Sequence, residues 1–342
     1  MLTELHIRNF KSVKAVDLKC SRINVFIGEP NTGKSNILET IALLHIFVDQ
    51  YRKLTRSDLS FIFRISQWNQ LFHWRDLSQA ISLDAVVNSE HSIQLKLQYD
   101  ESINWISVVH GDNEITALDP DELDYDLALE KDGIVRFGFY RFRSRNVYRS
   151  REDRSVVPPD APNLLEVIRT SGRELVIALS NLFSKYGLAL VLEMPSGSIK
   201  LQHSIGEEDI PVVASLPYSL LSDTLQRMVF NLAIILGNKK MVIALEEPET
   251  HTFPVYVKYL AEKIARDKND NQYFISTHNP YFLISLLEKA PKKDVNVFIT
   301  SLENYETKVR MLTDKHREEI LDLDLDVFFN LDKFWEELSQ EV

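Results

Sequence analysis

Gly28-Glu29-Pro30-Asn31-Thr32-Gly33-Lys34-Ser35 fits the pattern G-x-x-x-x-G-K-S, and its neighbours give it a setting. The apolar run Ile23-Asn24-Val25-Phe26-Ile27 before it reads as a buried strand. After it, Asn36 to about Phe47 carries a helical pattern. Strand, glycine-bearing loop and helix in that order build a phosphate cradle. Glycines let main-chain N–H groups curl around phosphate oxygens, and the helix N-terminus adds partial positive charge. Lys34 is expected to reach the β- and γ-phosphates, and the Ser35 hydroxyl to take one position on Mg²⁺. A chance match in an unrelated loop is the competing reading, and the strand–helix context argues against it. The chain is expected to bind a nucleoside triphosphate.

The 342 residues allow one large or two modest domains. A hydrophobic share of 44% and a charged share of 26% read as an ordinary globular protein. The formal net charge of −11 repels nucleic acid and anionic membranes, so any nucleic-acid binding needs a local basic patch. Cys20 is the only cysteine, which excludes an internal disulfide and fits a reducing cytoplasm. The start, Met1 to Ile7, alternates like a strand and lacks signal-peptide organisation. The longest apolar stretch, Arg227 to Leu245, is broken by Asn231 and by Gly237-Asn238-Lys239-Lys240, so no membrane span is expected.

Periodicity predicts paired strands at Leu2–Phe10 and Val13–Lys19, then half-solvated antiparallel strands over 81–86 and 93–99. Short strands are expected at Trp105–Val109 and Ile134–Phe142, and one helix from Leu164 to Tyr186. Leu188–Leu192 and Ile199–His203 read as a hairpin turning at Pro195-Ser196-Gly197. The last third is clearer. A helix runs from Ser222 to Leu236, capped by Ser222 or Asp223 and stopped by Gly237-Asn238. Strands at 241–245, 272–276 and 295–300 alternate with helices at 254–266 and 280–289, the pattern of a parallel sheet.

Three stretches in this part carry candidate chemistry. The strand Met241–Leu245 ends in Glu246-Glu247-Pro248-Glu249. A carboxylate at the tip of a buried strand is where a phosphate-loop protein holds Mg²⁺, and a second beside it can orient the attacking water. The bland alternative is an exposed acidic turn. Ser276-Thr277-His278-Asn279-Pro280 follows the next strand, and an imidazole there can bond the γ-phosphate or the water. A structural loop histidine is the alternative, and the spacing of one strand–helix–strand unit from Glu247 argues against it. Ser222, at a helix start, makes a second anion site or an ordinary cap.

This order of parts resembles the ABC-type ATPase head, and more closely its SMC/RecF/OLD branch. Leu5-His6-Ile7-Arg8-Asn9-Phe10-Lys11-Ser12 is similar to that branch's I-x-N-F-[KR]-S opening. Glu246-Glu247-Pro248-Glu249 is similar to the E-E-P-E of OLD-like ATPases, and Pro162 to Ile168 also resembles a segment of these chains. The resemblance covers about 1–50 and 160–300. It implies an α/β P-loop NTPase fold with three parts: an N-terminal lobe (1–155), a small helical lobe (156–236) and a C-terminal α/β portion (237–342). It implies ATP and Mg²⁺ as cofactors, with Gly28 to Asn36 (Gly28, Glu29, Pro30, Asn31, Thr32, Gly33, Lys34, Ser35 and Asn36) around the phosphates. Ser35 and Glu246 would hold Mg²⁺, Glu247 would activate water, and His278 would be the switch histidine. Ser222 would touch the γ-phosphate held by a second copy, so that a homodimer sandwiches two nucleotides. The chain departs from the pattern at Thr224-Leu225, where a glycine is usual. No Q-loop glutamine can be chosen among Gln67, Gln70 and Gln79.

Arg136, Arg141, Arg143, Arg145, Arg149, Arg151 and Arg154 are interleaved with five aromatic residues and offset only by Glu152 and Asp153. Such a stretch can follow a nucleic-acid backbone. The other reading pairs it with acids of this chain, for which Asp119 to Asp126 is the nearest source. That acidic run lacks the turn glycine of a calcium loop and is not read as one. Asp322-Leu323-Asp324-Leu325-Asp326 offers the D-x-D of a TOPRIM nuclease, but the chain runs only to Val342, so no built-in nuclease is expected. The expectation is a cytoplasmic ATPase that serves DNA repair or antiviral defence through a separately encoded effector such as a nuclease. The alternatives are a nucleotide-gated scaffold with little turnover and, less in keeping with Ser222 and His278, a small-molecule kinase. All of this requires Lys34, Glu246 and Glu247 to converge.

Overall fold

The computed structural model describes residues 1–48, 56–89, 91–100, 105–110, 113–118, 135–148, 155–205, 212–323 and 328–340. The chain opens with β1 (Leu2–Phe10), β2 (Val13–Lys19) and β3 (Ile23–Gly28), followed by α1 (Lys34–Val48) and α2 (Arg56–Phe63). Next come β4 (Ile81–Val87), β5 (His91–Asp100), β6 (Trp105–His110), β7 (Asn113–Leu118) and β8 (Arg136–Tyr140). Helices α3 (Leu164–Thr170) and α4 (Arg173–Ser184) precede β9 (Ala189–Glu193), β10 (Ser198–Ile205) and β11 (Val212–Pro217). The last part alternates α5 (Asp223–Gly237), β12 (Met241–Glu246), α6 (Pro254–Ala265), β13 (Gln272–Ser276) and α7 (Pro280–Lys289). It ends with β14 (Val295–Glu303), β15 (Glu306–Met311), α8 (Asp314–Leu323) and α9 (Leu331–Gln340).

Three sheets result. An antiparallel sheet has the order β2-β1-β4-β5-β6-β7, and a mixed sheet the order β15-β14-β3-β13-β12-β8. In the mixed sheet only β15 runs antiparallel to its neighbour. A third small sheet has the order β11-β10-β9. The first sheet buries alternate residues, as half-solvated strands do, whereas every residue of β3 and β13 is buried.

Helix α1 is hydrophobic nearly all round, and Ile37, Leu38, Ile41, Leu43 and Leu44 are fully buried. It lies between the two large sheets, as a helix without a polar face must. Phe26, Phe274 and Phe298 point from the mixed sheet into that layer, with Phe26 stacked 6.4 Å from Phe274 and 5.1 Å from Phe298. The alternate residues Ile23, Val25, Ile27, Ile243 and Ile275 face the opposite way, into a second core with α3 to α7.

Two expectations are corrected. The helix expected over 164–186 breaks at Ser171-Gly172, where both residues adopt extended backbone and Gly172 becomes the N-cap of α4. β8 joins the mixed sheet in parallel with β12 rather than the antiparallel set around it in sequence. Strand β11, the edge strand β15 and helices α2, α8 and α9 carry short or weakly periodic patterns and went unread. No helix among the described residues is long and apolar enough to cross a membrane.

Candidate functional site

The parallel registers bring strand ends together along one edge of the mixed sheet. Glu246 lies opposite Ser276, Ser276 opposite Phe26, Gly28 opposite Thr300, and Leu245 opposite Tyr140. Loops leaving these carboxyl ends form the crevice where parallel α/β sheets place ligands.

The loop after β3 is shaped by backbone that side chains resist. Gly28 has φ +147° and Gly33 φ +95°, and a Cβ on Gly33 would stand 2.0 Å from Thr307 Oγ1. Lys34 Nζ donates to the carbonyls of Gly28 (2.9 Å) and Glu29 (2.6 Å), and the side chain is buried. Burial lowers its pKa to about 8 against the pull of Glu247 and Glu29. Glu29, Pro30 and Asn31 form the exposed rim. Thr32 Oγ1 lies 2.6 Å from Thr300 Oγ1, and Asn36 donates to Ser12 Oγ at 2.7 Å.

Glu246 accepts from the Ser35 hydroxyl, from Arg141 Nε at 2.7 Å and from Arg64. Burial pushes its carboxyl up, but Arg141, Ser35 and Arg64 outweigh this and hold it below the usual carboxylate range. Behind it, the buried Glu39 meets Lys11, Arg141 (3.4 Å) and Arg64 (3.9 Å). Arg141 also donates to the carbonyls of Phe61 and Ile62, the latter at 2.9 Å. Lys11, Glu39, Arg64 and Arg141 were not foreseen as part of the site. Arg141 stands at the tip of β8 beside Glu246, and only the strand order reveals that. Of the glutamine candidates, Gln70 Oε1 accepts from Ser66 N at 2.8 Å, and the Gln79 main-chain carbonyl accepts from Asn9 at 2.6 Å.

Glu247 holds φ +42°, and its N–H donates to the Ser276 carbonyl at 3.0 Å. Its carboxylate lies 3.4 Å from His278 Nε2 and accepts from Thr250 Oγ1 at 3.1 Å. Burial and the Lys34 charge lower the His278 pKa more than Glu247 raises it, so the imidazole stays neutral at pH 7. Lys34, Glu247 and His278 are thus within electrostatic reach of one another. Glu249 is buried beneath them, accepting from the Thr277 hydroxyl and the His278 amide. A cleft of about 530 Å³ opens over Glu247, Glu249, Thr250, His251, His278 and Thr224.

Ser222 is exposed and caps α5, its oxygen 3.4 Å from Leu225 N. The helix rests on the loop after β12: Thr224 Oγ1 donates to the His251 carbonyl (2.7 Å), and buried Asn231 to the Pro248 carbonyl (2.9 Å). Ser222 therefore belongs to the rim rather than to the cluster at Lys34.

The described part of the basic stretch turns inward. Arg136 donates to the Lys239 carbonyl (3.0 Å), Arg141 serves Glu246, and Arg143 lies 3.8 Å over the Phe61 ring. Arg145 Nε pairs with buried Asp160 at 3.0 Å. Among the described residues the acids are Glu246, Glu39 and Asp160; the run 119–126 lies outside the described residues, together with Arg149, Arg151 and Arg154.

A hydroxyl and one carboxylate, Ser35 and Glu246, make a donor set that suits Mg²⁺ sharing its remaining positions with phosphate oxygens and water. Among the described residues no cluster of three or more His, Cys, Asp or Glu side chains could hold a metal by itself.

Comparison with known proteins agrees with this architecture. The profile of the AAA ATPase domain family matches residues 1–179. An Smc head domain with an extended coiled coil, bound to the C-terminal domain of ScpA from Pyrococcus furiosus, superposes with a TM-score of 0.55. It shares 14% identity and covers 94% of this chain and 98% of its own. An Smc head bound to the C-winged helix domain of ScpA gives 0.55 at 13% identity, covering 93% and 99%. The fold is that of an SMC-type, ABC-like ATPase head. Among curated protein sequences, none matches the chain.

Proposed function

Because this chain belongs to the AAA ATPase domain family, we propose that it binds ATP with Mg²⁺ and hydrolyses it to ADP and phosphate. The convergence of Lys34, Ser35, Glu246, Glu247 and His278 on one sheet edge carries this reading. The bound ion would neutralise phosphate charge and orient the γ-phosphoryl group. Gly28 to Asn36 wrap the phosphates with main-chain N–H groups, and Lys34 exchanges its carbonyl partners for phosphate oxygens. Ser35 and Glu246 hold the ion. Glu247, partly exposed, accepts hydrogen from the attacking water. Neutral His278, 3.4 Å from it, keeps that carboxylate turned to the cleft.

Two copies join head to head, each giving the exposed Ser222 end of α5 to the nucleotide of the other. Phe253 (66% exposed) on the same cleft gives such a contact apolar surface. Closing and opening would act on a separately encoded effector, such as a nuclease, in DNA repair or antiviral defence in the cytoplasm.

Phosphate release by wild type and Glu247→Gln tests the reading. Turnover is expected to fall by about 10²–10⁴ in the variant, with ATP still bound. A wild type as slow as the variant favours a nucleotide-gated scaffold. The observation behind that second reading is the start of α5, where Thr224 is tied to His251 and Leu225 is buried in place of glycine.

A further inference from the structure

We infer that Trp74 and Tyr305 form the platform against which the purine base of the bound nucleotide packs, an assignment that rests on the nucleotide reading above. The two rings meet edge to face, centroids 5.5 Å apart at 89°, yet Trp74 is 67% and Tyr305 69% exposed. An edge-to-face pair leaves a ring face open, and a ring face is what a base stacks on.

Their position relative to the phosphate loop argues for a base. Both residues flank the Lys11–Ser12 turn. His73 Nδ1 lies 2.7 Å from the Lys11 carbonyl and sets Trp74 beside the turn. On the other side, Thr307 N–H donates to the Ser12 carbonyl at 2.8 Å, two residues after Tyr305. Ser12 Oγ in turn bonds Thr307 Oγ1 (2.7 Å) and Asn36 Nδ2 (2.7 Å), and Thr307 packs on Gly33. Tyr305, in the turn between β14 and β15 at φ +63°, is thus two residues along the chain from the side chain that touches Gly33.

Direction follows from strand order. β13 and β12, which carry His278, Glu246 and Glu247, lie on one side of β3, while β14 and β15 lie on the other. A nucleotide with its terminal phosphate at Glu247 must leave the loop on the β14–β15 side, where the rings stand. Trp74 also holds φ +51°, ψ +24°, a backbone region bulky residues rarely enter, and Arg75 follows at φ +57°. Strain of that kind persists where surrounding contacts fix a side chain for use.

Binding of ATP and of inorganic tripolyphosphate, each with Mg²⁺, separates base from phosphate. Trp74→Ala and Tyr305→Ala are expected to weaken ATP about tenfold each and to leave tripolyphosphate unchanged. Trp74→Phe should restore most of the loss. In wild type, ATP should quench tryptophan emission and tripolyphosphate should not, and the quench should vanish in Trp74→Phe. Unchanged ATP affinity in both alanine variants, or equal weakening of both ligands, overturns the platform while tripolyphosphate binding that still requires Lys34 keeps the nucleotide reading. If tripolyphosphate and ATP both bind Lys34→Ala as they bind wild type, the nucleotide reading falls and the platform falls with it.

Discussion

Glu249 sits three residues beyond Glu246, with one carboxyl oxygen bonded to the Thr277 hydroxyl and the His278 amide and the other buried without a partner among the described residues. Burial pushes this carboxyl up to about 7, against the smaller pull of Thr277 and the backbone amides. An unfolded glutamate releases its proton near 4.5, so between that pH and about 7 the folded state binds more protons. Stability therefore declines as pH rises through this window, by up to about 3 kcal/mol at 1.36 kcal/mol per pKa unit. Below the window Glu249 costs little. We expect the Tm of wild type to drop between pH 5 and pH 8 more than that of Glu249→Gln, which should be the more stable protein at pH 8. Parallel Tm profiles for the two would refute the burial argument. The string Glu246-Glu247-Pro248-Glu249 was legible as acids at a strand tip, but the sequence treats its members alike. Only packing makes Glu246 a paired anion, leaves Glu247 partly exposed, and buries Glu249 so that its proton is held to about pH 7.

Among the elements, those with strong periodicity were read almost to the residue. β1, β2, β13 and α7 have the predicted bounds, because alternation, a short continuous apolar run or a Pro start marks them without reference to the rest of the chain. The segment after β8 shows where such reading stops. Of the two readings its arginines allowed, a nucleic-acid contact or pairing with acids of this chain, Arg145 takes the second: it reaches Asp160, whose side chain is fully buried and whose Oδ1 has no partner among the described residues. Removing that arginine leaves a buried carboxylate whose one other cationic partner among the described residues is Arg143, 3.7 Å away. Arg145→Ala should cost about 3 kcal/mol in urea unfolding, and adding Asp160→Asn should recover part of it. A cost within about 0.5 kcal/mol would mean that the arginine is the solvated surface residue it resembles in sequence.

For the whole molecule, the expected consequence of the site is assembly. With ATP and Mg²⁺, Glu247→Gln should sediment at twice the mass of the nucleotide-free protein. Ser222→Arg should prevent this without weakening nucleotide binding by one copy. A single mass under every nucleotide condition would remove the head-to-head arrangement and leave the ATP site standing. The net charge of −11 works against any such association, so the dimer should tighten as salt is raised within the range that leaves nucleotide binding intact.

By itself the sequence determined the phosphate loop, the acids and histidine at strand tips, and hence the class of fold, because each depends on neighbours within a few residues. The tertiary structure decided which charges meet: Arg64 and Arg141 on Glu246, Lys11 on Glu39, Arg145 on Asp160. It also brought Trp74 to Tyr305 across the Lys11–Ser12 turn. The reason is physical. A loop's backbone and a strand's period are local properties of the chain. Pairing between side chains far apart in sequence depends on the order in which strands assemble and on how much water their packing excludes.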